Sequence, residues 1–469
     1  MTGALMDTRF SQLKEEKERF DQSCRSSIPK IQRVPKFLQQ NERFYKYCSP
    51  KIVSFGPIHH NKDSLKEGEH YKRLWTSIFV AEYGEQNDQD VDQSYKILFK
   101  KIEDNIEELK NMFTEDAIEG YNDNDLAWIL FVDGCSLIYF MENVDHQRPK
   151  ALNLKYDRLM YIWRDALLLE NQLPRKILEI LCEEKGVDLN FIYSNYSNMG
   201  QSKRSGEVVI IVDNPKFFHI LDFNRSFRLS SVIIQNIVGQ NLMETREGED
   251  DHDIMEENKT LNQKHSNEQL NWNTYKSIRD LKTVGIRVVA NKTNNWRWSD
   301  ISFKSKWFGG ELRLPIFLFN DVTLYFFRNL IAYEMCPDVH YDYECCSFFS
   351  FMDSLIDNAE DVKELRSAGV FQNLLGSDEE LAKLFNDLGD DLPTKMSSHF
   401  SPTNAVTYSK KYIMVKRQIE THYTNKWKTW LAQVYNTHFN TPWAMIAFLA
   451  ASSALVLTFL QTWFTIRPN

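Results

Sequence analysis

Leu126–Val144 reads LAWILFVDGCSLIYFMENV, and how it is read decides the fold. A helix this apolar on all sides belongs in an interior and not on a surface. Upstream, LKEGEHYKRLWTSIFVAEY (Leu65–Tyr83) and YKILFKKIEDNIEELKNMF (Tyr95–Phe113) repeat apolar residues at helical spacing, the first behind a capping box of Ser64 and Glu67. The expected fold is mainly α.

Further along, DISFKSKWFGGELRLPIFLFND (Asp300–Asp321) alternates apolar and polar residues at Leu312, Leu314 and Ile316. Gly309-Gly310 is expected to turn a hairpin, with Pro315 confining its strand to an edge or a bulge. β structure is therefore a minor hairpin or small sheet in an α+β class. DLKTVGIRVV (Asp280–Val289) and ELRSAGVFQN (Glu364–Asn373) share a helix-stop design. Each has a base in the last turn, Gly285 or Gly369 where the chain needs positive φ, and an apolar residue to cover the turn. Between Glu244 and Glu257 eight acids face Arg246 alone, a composition that buries too little apolar surface to order itself. Mobile loops are expected near 194–207 and 244–270.

At 469 residues, with 42% hydrophobic and 13% aromatic residues, the chain is long and apolar enough for one large or two smaller cores. Its net charge of -9 and the absence of a basic tract interleaved with aromatics argue against a nucleic-acid partner. Seven scattered cysteines without a C-x-x-C pair suggest reduced thiols in a reducing compartment. The N-terminal MTGALMDTRFSQLKEEKERF lacks the apolar core of a secretory signal, so a cytosolic body is expected. Sequons at Asn195, Asn224, Asn258 and Asn291 are attributed to chance.

The C-terminal TPWAMIAFLAASSALVLTFLQTWFTIRPN holds 24 uncharged residues from Trp443 to Ile466. As a helix they reach ~36 Å, enough to cross a hydrocarbon core of ~30 Å. Thr441 suits the cap, Pro442 the first turn, and Trp443 and Trp463 the two interfaces. Lys410, Lys411, Lys416, Arg417, Lys426 and Lys428 precede the span against Glu420, and Arg467 alone follows, so the body is expected in the cytoplasm. The small residues Ala447, Ala450, Ala451 and Ala454 suit a helix contact face, though apolar filler accounts for them more simply. Before the span, Tyr412, Ile419, Tyr423, Trp427, Leu431 and Val434 form an apolar stripe at helical spacing. It suits either a leaflet surface or the body.

No phosphate-cradling glycine loop, H-E-x-x-H, G-x-S-x-G or kinase set occurs, and the 17 glycines are dispersed. Three constellations invite chemistry. In GPIHHNKD, His59, His60 and Asp63 are metal-binding types, but adjacent histidines diverge and no second ligand cluster exists, so a hydrogen-bonded turn after Gly56-Pro57 is favoured over a metal. His219 and Asp222 in FFHILDF sit three apart, and a capped or buried structural histidine is favoured over an acid–base pair. In LLLENQLP (Leu167–Pro174) a leucine-lined helix ending before Pro174 strands its last carbonyls. Asn171 and Gln172 are expected to satisfy them, with Arg164 and Arg175 pairing Glu170 in a polar network that braces the corner.

Taken in order, IPKIQRVP with VSFGPIHH, DALLLENQLP, FFHILDF, GGELRLPIFLFND with RNLIAYE, and LRSAGVFQNLLGSDEELAKLFNDL, closed by the apolar tail, resemble the plant domain of unknown function 247 family, also called UPF0481-like. The resemblance runs from about Ile28 to Ile466. Leu173 and Ile58 depart mildly from its pattern. It implies an N-terminal helical extension over 1–27, an α-rich globular domain over 28–440, a transmembrane helix over 441–466 and a tail over 467–469. It implies no catalytic residue, cofactor or metal. Some grass members are linked to self-incompatibility as pollen-side determinants. The expectation is a single-pass protein, in the plasma membrane, whose cytoplasmic body binds a protein partner; the alternative is an enzyme of unrecognised class using Glu170, His59 or His219.

Overall fold

The computed structural model of the chain describes residues 2–23, 29–144, 151–197, 208–211, 217–229, 233–236, 277–291, 297–306, 309–339, 343–390, 392, 409–425 and 442–466. The stretch 244–270, residues 198–207, Thr441, Trp427, Leu431, Val434 and the tail 467–469 fall outside these residues. Residues 194–197, read from the sequence as the start of a loop, instead end a helix.

In chain order the longer helices are α1 (Thr2–Ser23), α2 (Lys66–Gln86), α3 (Val91–Asp104), α4 (Asp123–Asn143), α5 (Tyr156–Asp165), α6 (Arg175–Lys185), α7 (Leu189–Ser197) and α8 (Ile220–Leu229). There follow α9 (Ile278–Thr283), α10 (Asp321–Glu334), α11 (Glu344–Asp353), α12 (Ala359–Ser367), α13 (Asp378–Asp390), α14 (Lys410–Thr424) and α15 (Pro442–Ile466). The strands are β1 (Val208–Ile211), β2 (Ile233–Asn236), β3 (Ile286–Ala290), β4 (Ser302–Lys306), β5 (Gly309–Leu314), β6 (Phe317–Phe319) and β7 (Phe371–Asn373). The chain is mainly helical with little β structure. It divides into one unit of Met1–Asn267 with Asn320–Cys346 and another of Glu268–Phe319 with Ser347–Asn469.

In the first unit, α4 is the core helix that its composition demands: every residue from Ile129 to Met141 is buried, and α2, α3, α6 and α7 pack around it. Burial of each large side chain there contributes about 1.5–3 kcal/mol. The α2 helix approaches the irregular segment near Ile52 so closely that a Cβ at Gly68 would lie 2.2 Å from the Ile52 carbonyl oxygen. Ser64 does not cap α2. Asp63–Leu65 form a 3-10 turn, α2 begins at Lys66, and no side chain caps it. That turn buries Leu65, and the Glu67 carboxylate instead meets Arg158 and Tyr71, each at 3.1 Å. A true capping box opens α10, where the Asn320 side chain accepts from Thr323 N–H and the Thr323 hydroxyl accepts from Asn320 N–H. Asn320→Ala is therefore expected to cost about 1 kcal/mol in a urea titration, whereas Ser64→Ala should stay within about 0.5 kcal/mol.

In the second unit the sheet order is β3-β5-β4, with β3 parallel and β4 antiparallel to β5. The hairpin is present, but two expected details differ. Gly309 and Gly310 pair with Lys306 and Ser305 inside the ladder and do not form the turn. The β5 strand is central, because it ends at Leu314, one residue before Pro315 would remove a ladder donor. Leu312 and Leu314 are buried, while Ile316 is only partly covered because the alternation changes phase after Pro315. Both helix stops are present: Gly285 (φ 80°) follows α9 and Gly369 (φ 75°) follows α12, each leading into a strand. The Phe317, Phe319 and Phe371 rings of β6 and β7 join Phe348, Phe385 and Trp298 in an aromatic core, with centroids 4.7–6.5 Å apart.

The stripe on α14 packs on its own unit over this part of its length. Tyr412, Val415 and Ile419 are buried, the Tyr412 hydroxyl donates to the Trp298 carbonyl, and the helix lies against β4. Lys416 is buried too, and burial pushes its ammonium down to about 8. It is not a surface base facing a leaflet.

Candidate functional site

Residues 164–174, the end of α5 and the turn into α6, are buried without exception. Water cannot satisfy this turn, so its backbone needs protein partners. Gln172 Nε2 donates to the carbonyls of Ala166 (2.9 Å) and Leu168 (2.7 Å), and Asn171 Nδ2 donates to Asp165 O (2.9 Å) and Val53 O (3.1 Å). Their amide oxygens face outward: Asn171 Oδ1 accepts from Phe55 N–H and Gln172 Oε1 from Leu221 N–H. The two amides thus satisfy stranded carbonyls and also tie the turn to segments more than 45 residues away. Pro174 precedes α6, where Arg175 N–H donates to Phe218 O at 2.8 Å.

Three buried carboxylates clamp the chain between Val34 and Gly56, which runs through two short helical turns (Lys36–Gln39 and Glu42–Tyr45) into an irregular segment near Ile52. Asp165 Oδ2 accepts from the N–H groups of Lys51, Ile52 and Val53 at 2.9, 2.7 and 3.2 Å, while Oδ1 takes Arg164 at 2.8 Å. Asp133 accepts from Gly56 N–H at 2.7 Å and from Lys72 Nζ at 2.6 Å. Glu170 accepts from Val34 N–H at 2.9 Å and from the Tyr45 hydroxyl at 3.1 Å. His59 Nε2 also lies 3.0 Å from Glu170, off the line of a straight hydrogen bond. The expected pairing of Glu170 with Arg164 and Arg175 is not found. Arg164 is taken by the adjacent Asp165, and Arg175 binds Glu179 one helical turn on, at 2.7 Å.

Charge in this interior is balanced locally. Burial pushes the Asp133 carboxyl up to about 6, against the pull of Lys72 and Gly56 N–H. Burial lowers the Lys72 ammonium, but Asp133 and Glu69 outweigh it and the net direction is up. Tyr45 is pushed up to about 12 by burial and by Glu170, so its phenol remains a donor. Gly56 sits at φ 77°, and a Cβ there would come within 2.8 Å of Gln172 O. Only glycine fits that contact. Pro57 is buried and its carbonyl accepts from Tyr121.

His59 and His60 diverge as adjacent residues should. His59 is fully buried toward Glu170, and His60 is partly exposed with its ring 6.2 Å from Tyr121. His219 belongs to another network. It precedes α8, its Nδ1 accepts from Asp222 N–H at 3.1 Å, and Asp222 Oδ2 accepts from Phe218 N–H at 2.8 Å, so the pair caps the helix. Burial pushes His219 down to about 3. The structure thus brings Glu170 and His59 together and keeps His219 apart. Neither a recess of about 580 Å³ beside Arg279, Lys282 and Glu364 nor one of about 300 Å³ beside Gly84 and Asp90 is lined by any of them. Among the described residues no group of three or more His, Cys, Asp or Glu is placed to hold a metal. Six described cysteines are free and buried, and Asn224 is buried with its amide on Ile220 O, which removes it as a glycan acceptor.

Sequence reasoning missed Lys72, Asp133, Asp165 and Asn329, the last accepting Leu169 N–H at 2.8 Å. One signal was available for Asp133: a carboxylate inside the most apolar helix needs a buried partner.

The family model for "Plant protein of unknown function" (DUF247) matches residues 31–457. UPF0481 protein At3g47200 of Arabidopsis thaliana is 25% identical over 445 residues, covering 92% of this chain and 85% of its own. Putative UPF0481 protein At3g02645 of the same plant is 24% identical over 485 residues, covering 88% of this chain and 86% of its own. No solved structure matches the chain. Since the match begins at Ile31, beside the clamped Val34, and ends within α15, it takes in the whole polar clamp, and the chain belongs to the plant DUF247 family.

Proposed function

We propose that this protein is anchored in a bilayer by α15 and presents its folded body to the cytosol as a recognition or scaffold protein. The observation that carries the reading is α15 itself: 25 residues without a charged side chain, about 37 Å long as a helix, with none of Ile446–Trp463 buried. Leu455, Phe459 and Ile466 are 66–74% exposed, a surface that lipid would cover. Trp443 and Trp463 stand toward its two ends, and indole rings favour the headgroup level. The α4 helix passes the same length and composition test, but 83% of it is buried inside the body and it serves as core. Lys410, Lys411 and Arg417 ahead of α15 support a cytoplasmic body.

A binding role is favoured over an enzyme because Glu170 and His219 accept from backbone N–H groups and His59 is fully buried beside Glu170, all away from both recesses. A protein partner is the consistent ligand class, and pollen recognition of the kind linked to some grass relatives is one form of it. Full-length protein is expected to stay in the membrane pellet after alkaline carbonate, and deletion of residues 442–466 to release it. Release of the full-length chain would overturn the anchor. For the binding role, full-length protein in mild detergent is expected to retain the same discrete partner in repeated captures from plant membranes, and repeated empty captures would remove that reading.

A further inference from the structure

From the GPIHHNKD turn we infer that Lys62 is a reactive surface amine, activated by His59 and Glu170 behind it, and that it accepts acyl groups from thioesters. The turn builds the arrangement. Asn61 adopts the left-handed φ of 62° and folds Lys62 back over His59, with Lys62 N–H reaching His59 O at 3.4 Å. Lys62 Nζ then lies 2.6 Å from His59 Nδ1. An ammonium only donates, so Nδ1 is the acceptor and the ring proton sits on Nε2, which lies 3.0 Å from Glu170 Oε2 but off the line of a straight hydrogen bond, so the carboxylate acts on the ring by its charge. The carboxylate is anchored by Val34 N–H and Tyr45.

The line from carboxylate to imidazole to amine therefore runs from a fully buried acid, through a fully buried histidine, to an exposed lysine. Such an order turns a base toward a nucleophile. The charges acting on Lys62 are those of Glu170 and Arg33, and Arg33 is itself 3.7 Å from Asp116. Burial pushes the Lys62 ammonium below its ordinary value, with Arg33 acting in the same sense and Glu170 against it.

In the step, His59 Nδ1 takes one proton from the ammonium, and the freed lone pair attacks the thioester carbonyl carbon. The C–N bond forms as the C–S bond breaks. His59 returns its proton to the departing thiolate and the second amine proton goes to solvent. The products are an amide on Lys62 and a free thiol.

The test uses full-length protein in detergent micelles and the small thioester S-acetyl-N-acetylcysteamine at pH 7.5, with acetylation of each lysine followed by peptide mass spectrometry. Lys62 is expected to react at least fivefold faster than the exposed Lys36 and Lys155, and a smaller ratio overturns the inference. In His59→Gln the Lys62 rate should fall to that of Lys36, whose own rate is unchanged; a folded variant with an unaltered Lys62 rate also overturns it. Should that variant fail to fold, the wild-type pH profile decides. The Lys62 rate must level off at lower pH than the Lys36 rate, and coincident profiles refute the assignment.

Discussion

Asp165→Ala is expected to lower the unfolding free energy by about 3–5 kcal/mol, the cost of breaking a buried charge pair by removing one partner. The substitution leaves Arg164, 4% exposed, without its carboxylate, and strands the N–H groups of Lys51, Ile52 and Val53 together. Each buried donor left unmet adds about 1–3 kcal/mol wherever water cannot reach it. Asp165→Asn keeps an acceptor oxygen but loses the charge, and should cost less. Urea titration of the full-length chain in mild detergent, followed by tryptophan fluorescence, measures both. A loss below about 1 kcal/mol for the alanine variant would show that the clamp does not hold the irregular segment.

The second large effect depends on pH. Burial holds His219 at about 3, below its ordinary 6.5, and its Nδ1 is already committed as the acceptor for Asp222 N–H. A folded-state value below the unfolded one means that the unfolded chain binds the proton more readily. The stabilisation is therefore complete above about pH 6.5 and is lost as pH falls toward 3, at about 1.4 kcal/mol per pH unit. Between pH 6.5 and 4.5 the wild type should lose about 2.3 kcal/mol more than His219→Gln, a variant with no imidazole to protonate. Parallel stability curves for the two proteins over that interval would rule this out.

Several features of the fold were legible along the chain because they depend on near neighbours. The apolar run of α4, the bases and glycines at the ends of α9 and α12, and the uncharged length of α15 are local patterns, and the structure keeps each of them. The capping box at Ser64 was also a local pattern, and it failed. A 3-10 turn that buries Leu65 occupies those positions and the helix starts after it, so the cap of about 1 kcal/mol that the spacing offers is not used. Gly309-Gly310 failed for a related reason, since the ladder with β3 and β4 extends through both glycines.

The sequence by itself pointed to Asn171 and Gln172 as the donors of a buried helix corner, since a leucine-lined turn before Pro174 strands its carbonyls and these amides lie beside them. It did not determine which charge meets which. Glu170 bypassed Arg164 and Arg175 for Val34, Tyr45 and His59, and Asp133 found Lys72 at a separation of 61 residues. Only the tertiary structure decided those pairings. A hydrogen bond requires approach within about 3 Å, and which distant backbone arrives there depends on how the helices cross, which no local spacing encodes.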